Sequence, residues 1–377
     1  MSDSRTVALA CAAVAVVVSL IAAYYAMWGV GGSTSALVRV PRQEPLGQYV
    51  AERHEDWDFV EAATRYDGLY YYAIAIDPLA TGETHALIDA PAYRYGHPGH
   101  GWLARVFALG SVDRLPFGLL LLGLVGMAVA AYASSRLAVM FGMSPWWGLA
   151  VAANPGLIYA VTVDTPETSG AAVMALGLLA WFHRKHLLAA ATFVLLCLIK
   201  EAFVFVPIGL GIWEVVRRRS DGPLPPRLTA LAAGPAALAA WFLYLKSTLG
   251  QWSFTEGPEN VAGPITGWLE TLRLAARQGQ GFEFQVGAIG LPILVAVAVF
   301  LLIGISKGFR LRSPLDAIFV LSAVLIFFLS WFALLYPKDL FRNISALVFL
   351  APFVLGGTWL EERIPRHEMV GYRPDTD

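Results

Sequence analysis

One carboxylic acid, Asp67, stands in an aromatic and aliphatic stretch of the chain, "RYDGLYYYAIAIDP" at positions 65–78. A carboxylate in such surroundings can accept a proton from a hydroxyl group, which is the chemistry of a general base. The pattern predicts a short amphipathic helix at a membrane interface that begins at Asp67 and carries Tyr70, Tyr71, Ile74 and Ile76. A structural alternative stays open, in which Asp67 only caps that helix.

Histidines and further acids flank this stretch. Residues 88–110, "IDAPAYRYGHPGHGWLARVFALG", contain His97 and His100. Two histidines with one distant acid are a weak metal pattern, so we expect no metal ion and interpret both as phosphate-binding residues, with a divalent ion as the open alternative. The segment "TVDTPETS" (162–169) adds Asp164 and Glu167, which its position favours as helix caps. The secondary acidic candidates are Asp58, Asp89 and Asp164.

The composition of the whole chain indicates the class of protein. Of its 377 residues 57% are hydrophobic and only 15% are charged, with a mean hydropathy of +0.59. Apolar residues fall in blocks of about twenty, the length that spans a bilayer, which predicts an all-α polytopic membrane protein. The net charge of −1 indicates no nucleic-acid partner. Cys11 and Cys197 both lie in apolar blocks, which argues against a disulfide framework.

The hydrophobic blocks predict about ten transmembrane helices in a single integral membrane domain, residues 1–377. The first block, 7–30, has no small-residue cleavage site and is interpreted as a retained helix rather than a signal peptide. Residues 31–115 form a polar segment that is too long for an ordinary connection. The remaining blocks lie within 116–360, at 117–141, 147–163, 168–182, 186–199, 202–216, 228–246, 286–306, 315–336 and 344–360.

Basic residues near these blocks predict the orientation. With ten spans they all fall on the same side as the N-terminus, which is cytoplasmic by the positive-inside rule; they lie at Arg136, 183–186, 217–227, 307–312 and 361–367. The segments 31–115 and 247–285 then face outward, and the tail 361–377 is cytoplasmic. Lys200-Glu201 interrupts the stretch from 186 to 216, and the charge pattern favours two short spans that meet there.

Two stretches carry a resemblance to a known family. "RYDGLYYYAIAIDP", followed by "PAYRYGHPGHGWLARVFAL", resembles the W-D-x-x-(W/Y)-(F/Y)-x-x-I-A pattern and the following aromatic-proline segment of GT-C membrane glycosyltransferases. The most similar groups are PIG-V-like mannosyltransferases and related actinobacterial membrane proteins. The sequence departs from the pattern at Tyr66, where the family has tryptophan. The resemblance implies a GT-C-like fold whose large first extracytoplasmic loop carries interfacial helices, and it makes Asp67 the catalytic base.

The resemblance also implies a polyprenyl-phosphate sugar as donor. A phosphate at the membrane surface needs cations, and arginine suits bidentate contacts to it. Arg94, Lys200 and Arg342 are the expected cations, and the alternative for each is contact with lipid headgroups. The expected substrate-binding residues are Arg94, Lys200, Glu201, Arg342, Lys338, Tyr70, Tyr93, Tyr95, His97 and His100.

The function that the resemblance implies is an inverting transfer of a sugar, with mannose expected, to a lipid or glycan acceptor on the extracytoplasmic face of the plasma (inner) membrane. Asp67 would deprotonate the acceptor hydroxyl, and no cofactor besides the lipid-phosphate donor is expected. One rival is a transporter or lipid flippase with a polar path around Lys200-Glu201. A scaffold protein without chemistry of its own is the other.

Overall fold

The described part of the chain is helical. A computed structural model describes residues 4–216, 227–255, 260–277 and 282–356, and these ranges contain no β-strand. The predicted all-α class is therefore confirmed. The predicted basic clusters at 217–227 (apart from Arg227) and 361–367, and the predicted tail 361–377, lie outside the described residues.

The helices differ widely in length. Those before the first gap are α1 (Ser4–Trp28), α2 (Ser35–Val38), α3 (Pro45–Ala51), α4 (Gly68–Ile76), α5 (Pro91–Arg94), α6 (Gly99–Phe107), α7 (Leu115–Met140), α8 (Leu149–Ala152), α9 (Pro155–Thr162), α10 (Glu167–Phe182), α11 (His186–Ile199) and α12 (Phe205–Val216). Those after it are α13 (Arg227–Leu249), α14 (Thr266–Ala276), α15 (Phe282–Gly308), α16 (Pro314–Ile326), α17 (Trp331–Leu335), α18 (Pro337–Asn343) and α19 (Ser345–Gly356).

Several helices are long and apolar enough to cross a membrane. Among the described residues four meet both criteria, namely α1, α7, α13 from Leu228 and α15 from Gly290. Helices α18 and α19 meet them together, although they are bent by 55° relative to each other, and would make a fifth span. Helices α10, α11 and α16 are apolar but shorter than the ~20 residues that a straight span needs. The described ranges are thus helical, and four or five of their helices are able to cross a bilayer.

Two predicted spans are divided in the structure. The block 147–163 forms α8 and α9 because a new helix starts at Asn154-Pro155, where the Asn154 side chain accepts hydrogen bonds from the next turn at 3.1 and 3.3 Å. The block 315–336 forms α16 and the short α17. The break at Lys200-Glu201 lies where the sequence indicated it, between the end of α11 at Ile199 and the start of α12 at Phe205.

Helix α4, which follows Asp67, is buried in protein. The interfacial helix expected from the sequence is therefore wrong for this segment, since Tyr71, Tyr72 and Ile74 are all buried. They pack in a core formed by the polar segment 31–115, the start of α7 and the end of α13. Tertiary packing covers both faces of α4, although its residue pattern predicted that one face is exposed to water.

Close backbone contacts fix both ends of α4. At its start Gly68 leaves no room for a side chain, because a Cβ there would lie 2.5 Å from the Val163 carbonyl oxygen. At its end Arg105 Nη1 donates to the carbonyl oxygens of Ala75 at 2.8 Å and Ile76 at 3.1 Å. These are helix-terminal carbonyls without a partner inside the helix. Asp67 is thus held in a rigid frame.

Helix α18 reaches the same region through a second close approach. A Cβ on Gly156, at the start of α9, would lie 2.1 Å from the Phe341 carbonyl oxygen. Only glycine permits the α9 and α18 backbones to pack at this distance. The approach positions the residue after Phe341, which is Arg342.

Candidate active site

Asp67 lies between two arginines from distant parts of the chain. Arg342 Nη2, on α18, donates to Asp67 Oδ2 at 2.6 Å, and Arg94 Nη1, on α5, lies 3.6 Å from Oδ1. Asp67 occupies the N-cap position of α4, yet its side chain accepts no hydrogen bond from that helix. The alternative interpretation of Asp67 as a helix cap is therefore wrong. Its carboxylate is an ion-pair partner.

Glu167 binds two of the predicted cations at one oxygen atom. Lys200 Nζ donates to Glu167 Oε1 at 2.9 Å, and Arg342 Nε lies 3.2 Å from the same oxygen. The Glu167 side chain is 1% exposed. Sequence reasoning assigned it to a cap and left it out of the site. The signal that could have found it is an acid at the start of a helix that is otherwise apolar, which needs a cationic partner when it is buried.

The outward side of Asp67 carries a second, more exposed network. Arg94 Nε donates to Asp89 Oδ1 at 3.0 Å, and its guanidinium lies 3.7 Å from the centre of the Tyr70 ring. The Tyr70 hydroxyl donates to Asp89 Oδ2 at 2.7 Å. Arg65 donates to Asp89 at 2.7 Å and to Glu44 at 3.0 Å. Asp89 and Arg65 are 47% and 37% exposed, so this network lines an open surface.

Other predicted residues border these networks. His97 Nδ1 lies 3.2 Å from Glu201 Oε2, next to Lys200 in sequence. Tyr93 packs edge-on against His97, and its hydroxyl accepts a hydrogen bond from Asn260 at 2.9 Å. These residues form a polar and aromatic surface beside the predicted cations.

Lys338 and Arg342 both lie against Tyr66. The Lys338 Nζ atom is 4.8 Å and the Arg342 guanidinium carbon 4.9 Å from the centre of its ring. The Tyr66 hydroxyl donates to Asp339. Tyr66 stands where the GT-C pattern has tryptophan, and it supplies an aromatic face to cations as tryptophan would.

The remaining predicted residues lie deeper or elsewhere. His100 is buried, with Nδ1 2.8 Å from Ser169 Oγ. Tyr95 is buried in the core around α4. Asp58 accepts a hydrogen bond from the Ser33 backbone N–H at 2.8 Å and so fixes a loop. Asp164 is buried against Gly68, and burial raises its pKa well above the usual range.

The charge of Asp67 follows from its neighbours. Burial raises the pKa of Asp67, but the positive charges of Arg342 and Arg94 outweigh this effect and bring the pKa down to about 2. Asp67 is therefore ionised at every physiological pH. While it is paired with the arginines it is also a weak base, because its conjugate acid is strong.

A narrow fissure leads away from the paired charges. It has room for about 50 Å³ at its centre, enough for a few water molecules. Its polar lining residues are Glu167, Lys200, Ser322, Arg342, Asn343 and Ser345. The remaining walls are mostly apolar and include Met174, Phe203, Val206, Leu325, Ile326, Leu347 and Leu350. A fissure lined by two cations and by many apolar side chains matches an amphiphile with an anionic headgroup.

Acids of the site pair with arginine and lysine. Within the ranges that the structure describes, no three side chains of the His, Cys, Asp or Glu type are grouped so that they could hold a metal ion. The arrangement suits anion binding and proton transfer.

Comparison of the sequence with models of known protein families finds no match, and comparison with curated proteins finds none either. The resemblance to GT-C enzymes therefore keeps only the support of its motif residues and of the contacts that they make.

Proposed function

We propose that the protein is a GT-C-type glycosyltransferase that uses a polyprenyl-phosphate sugar. The observation that carries the proposal is the convergence of Arg94, Lys200 and Arg342 on Asp67 and Glu167. The three cations are distant in sequence, and the sequence predicts each of them as a phosphate ligand. Arg94 and Arg342 meet at Asp67, the acid that the motif makes the base, and Lys200 joins Arg342 at Glu167.

The fissure supports a lipid donor. Lys200 and Arg342 line it and would bind the donor phosphate through charge-assisted hydrogen bonds. The apolar walls would bind the first isoprene units. Both parts of an amphiphilic donor thus find a complementary surface at one place.

The acceptor reaches Asp67 from the exposed side. There Asp89 and Arg65 present hydrogen-bonding groups to solvent, as a sugar or polar headgroup requires. Asp67 takes the proton from the acceptor hydroxyl, and the oxygen attacks the anomeric carbon. The bond from that carbon to the phosphate oxygen breaks, and the lipid phosphate leaves as an anion on the cations. One displacement of this kind inverts the anomeric centre.

The membrane arrangement belongs to the same proposal. In it the chain crosses the plasma membrane about ten times, with the active site outside and the N-terminus in the cytoplasm. The shorter helices α10, α11, α12 and α16 would count among the spans. Mannose is the proposed sugar, from the motif resemblance.

The proposal is tested by transfer of radiolabel from polyprenyl-phosphate mannose to a lipid-glycan extract. Purified wild type is compared in nanodiscs with Asp67→Asn and with Asp113→Asn, an exposed acid outside the site. Loss of the base is expected to lower the rate ~10²- to 10⁴-fold, and the Asp113 change should leave it unaltered. Equal rates for wild type and folded Asp67→Asn would remove Asp67 from the chemistry.

A transporter is the second candidate, favoured by the break between α11 and α12. Interrupted helices with charged residues mark substrate paths in transporters. Lys200 and Glu201 occupy such a break, and each has an ionic partner, Glu167 and His97 respectively. Movement of a fluorescent lipid phosphate across liposomes containing the protein, with no label transfer by wild type, would favour this candidate.

A further inference from the structure

Arg342 is shared by two carboxylates and still has a free donor. Its Nη2 atom binds Asp67 and its Nε atom faces Glu167. Its buried Nη1 atom makes no hydrogen bond to any residue that the structure describes, and neither does Glu167 Oε2. Buried polar groups normally find partners. The guanidinium therefore keeps one donor available for a ligand in addition to the two carboxylates.

The two carboxylates differ in how firmly they are held. Glu167 is almost fully buried and binds Lys200 as well as Arg342, so its removal would leave two cations without a partner. Asp67 is 30% exposed and has one short contact, because its distance of 3.6 Å from Arg94 exceeds that of a good hydrogen bond. Asp67 is thus the partner of Arg342 that another anion can displace.

The lining of the fissure points in the same direction. Glu167, Lys200 and Arg342 line it, whereas Asp67 does not. A phosphate in the fissure would therefore compete with Asp67 for the donors of Arg342. The fissure and the ion pair are therefore linked.

On the glycosyltransferase assignment above, we propose that the donor phosphate replaces Asp67 on Arg342, and that this exchange frees Asp67 to act as the base. Glu167 is the positioning residue that keeps Arg342 and Lys200 in place during the exchange. The substrate thereby activates the base, and an enzyme without donor holds its base in an ion pair.

The groups around Asp67 explain why the exchange matters. Those that face it are Tyr66, Tyr71, Tyr93, Arg94, Lys200, Asp339 and Arg342. Arg342 is the largest favourable influence on the carboxylate, and a phosphate on that arginine would cancel its charge. The pKa of Asp67 then rises from about 2, which makes the carboxylate a stronger base when the acceptor arrives.

The test is the binding of farnesyl phosphate to the full-length protein in nanodiscs by isothermal titration. Asp67→Asn removes the competing carboxylate and is expected to tighten binding about tenfold or more. Asp339→Asn is the matched control, because it removes a second carboxylate near Arg342, one turn away on α18, where Asp339 bonds Tyr66 instead of the arginine. It should tighten binding by less than about threefold.

Glu167→Gln is expected to change the binding of farnesyl phosphate in the opposite direction. It also removes a negative charge beside Arg342, so a purely electrostatic account expects tighter binding. Because Glu167 positions both cations, we expect binding about tenfold weaker. Its thermal unfolding verifies that the variant is folded, and the comparison of Asp67→Asn with Asp339→Asn decides the matter if it is not.

Each outcome has one meaning. Tighter binding by Asp67→Asn than by Asp339→Asn supports the exchange. Equal binding by these two variants overturns the exchange and leaves the proposed glycosyltransferase standing. Failure of folded wild type to bind farnesyl phosphate at all removes the lipid-phosphate donor, and both proposals fall.

Discussion

Asp67 divides two networks of similar charge and different burial. On the inner side Arg342, Lys200 and Glu167 are largely enclosed, with Glu167 only 1% exposed. On the outer side Arg65 and Asp89 lie at the surface, 37% and 47% exposed, and Arg94, 20% exposed, connects them to Asp67. Buried ion pairs are weakly screened and fix geometry, whereas exposed pairs are screened and yield readily to a competing ligand. The inner network suits one defined anion, and the outer one suits a varied acceptor.

The largest difference between the two networks is expected in stability, when one acid is removed from each. Glu167→Ala is expected to lower the free energy of unfolding by about 3–5 kcal/mol, because it leaves two enclosed cations without their shared carboxylate. Asp89→Ala should cost less than about 1 kcal/mol, as exposed pairs do. Unfolding of the purified protein in a denaturing detergent measures both. Similar losses for the two variants would show that the networks do not differ in the way described.

Replacing one arginine on each side separates their roles in turnover. Lysine keeps the charge but loses the planar fork of donors. Arg342→Lys is expected to lower kcat/KM for the lipid donor about 100-fold, and Arg94→Lys about tenfold. Steady-state label transfer at varied donor concentration gives both values. A larger loss for Arg94→Lys would move the phosphate to the outer side.

The smallest expected effect is on stability at low pH. The pKa of Asp67 in the folded protein, about 2, is below its ordinary value of 3.8. Its ion pairs therefore contribute fully above pH 3.8, and the contribution is lost as the pH falls from 3.8 toward 2. The Tm of wild type should fall more steeply in this window than that of Asp67→Asn. Parallel curves would mean that Arg342 does not hold the carboxylate as described.

Much of the architecture could be predicted because it is encoded locally. Helix α7 and the break at Lys200-Glu201 follow from runs of apolar residues and the charges that interrupt them. The division of 147–163 at Asn154-Pro155 also has a local cause, a capping side chain before proline, which hydropathy alone does not detect. Asp67 was identified by its motif, and Arg94, Lys200 and Arg342 by their type and expected location.

The role of Glu167 could not be predicted from its neighbours in sequence. Its segment has the residue types of a helix start, and the same letters serve a cap or an ion pair. Lys200 is 33 residues away and Arg342 comes from α18, so only packing reveals that they meet at one oxygen.

By itself the sequence determined the helical class, the apolar helices able to cross a membrane and the stretch that carries the candidate base. These features depend on the spacing of apolar residues over a few helical turns. That spacing belongs to each segment and does not depend on its tertiary contacts. Tertiary structure alone decided that α4 is buried, that Asp67 faces Arg342 rather than its own helix, and that Glu167 joins two cations. The Asp67–Arg342 pair spans 275 positions, and its ion-pair energy depends on a distance and a degree of burial that exist only once α9, α18 and α4 have packed.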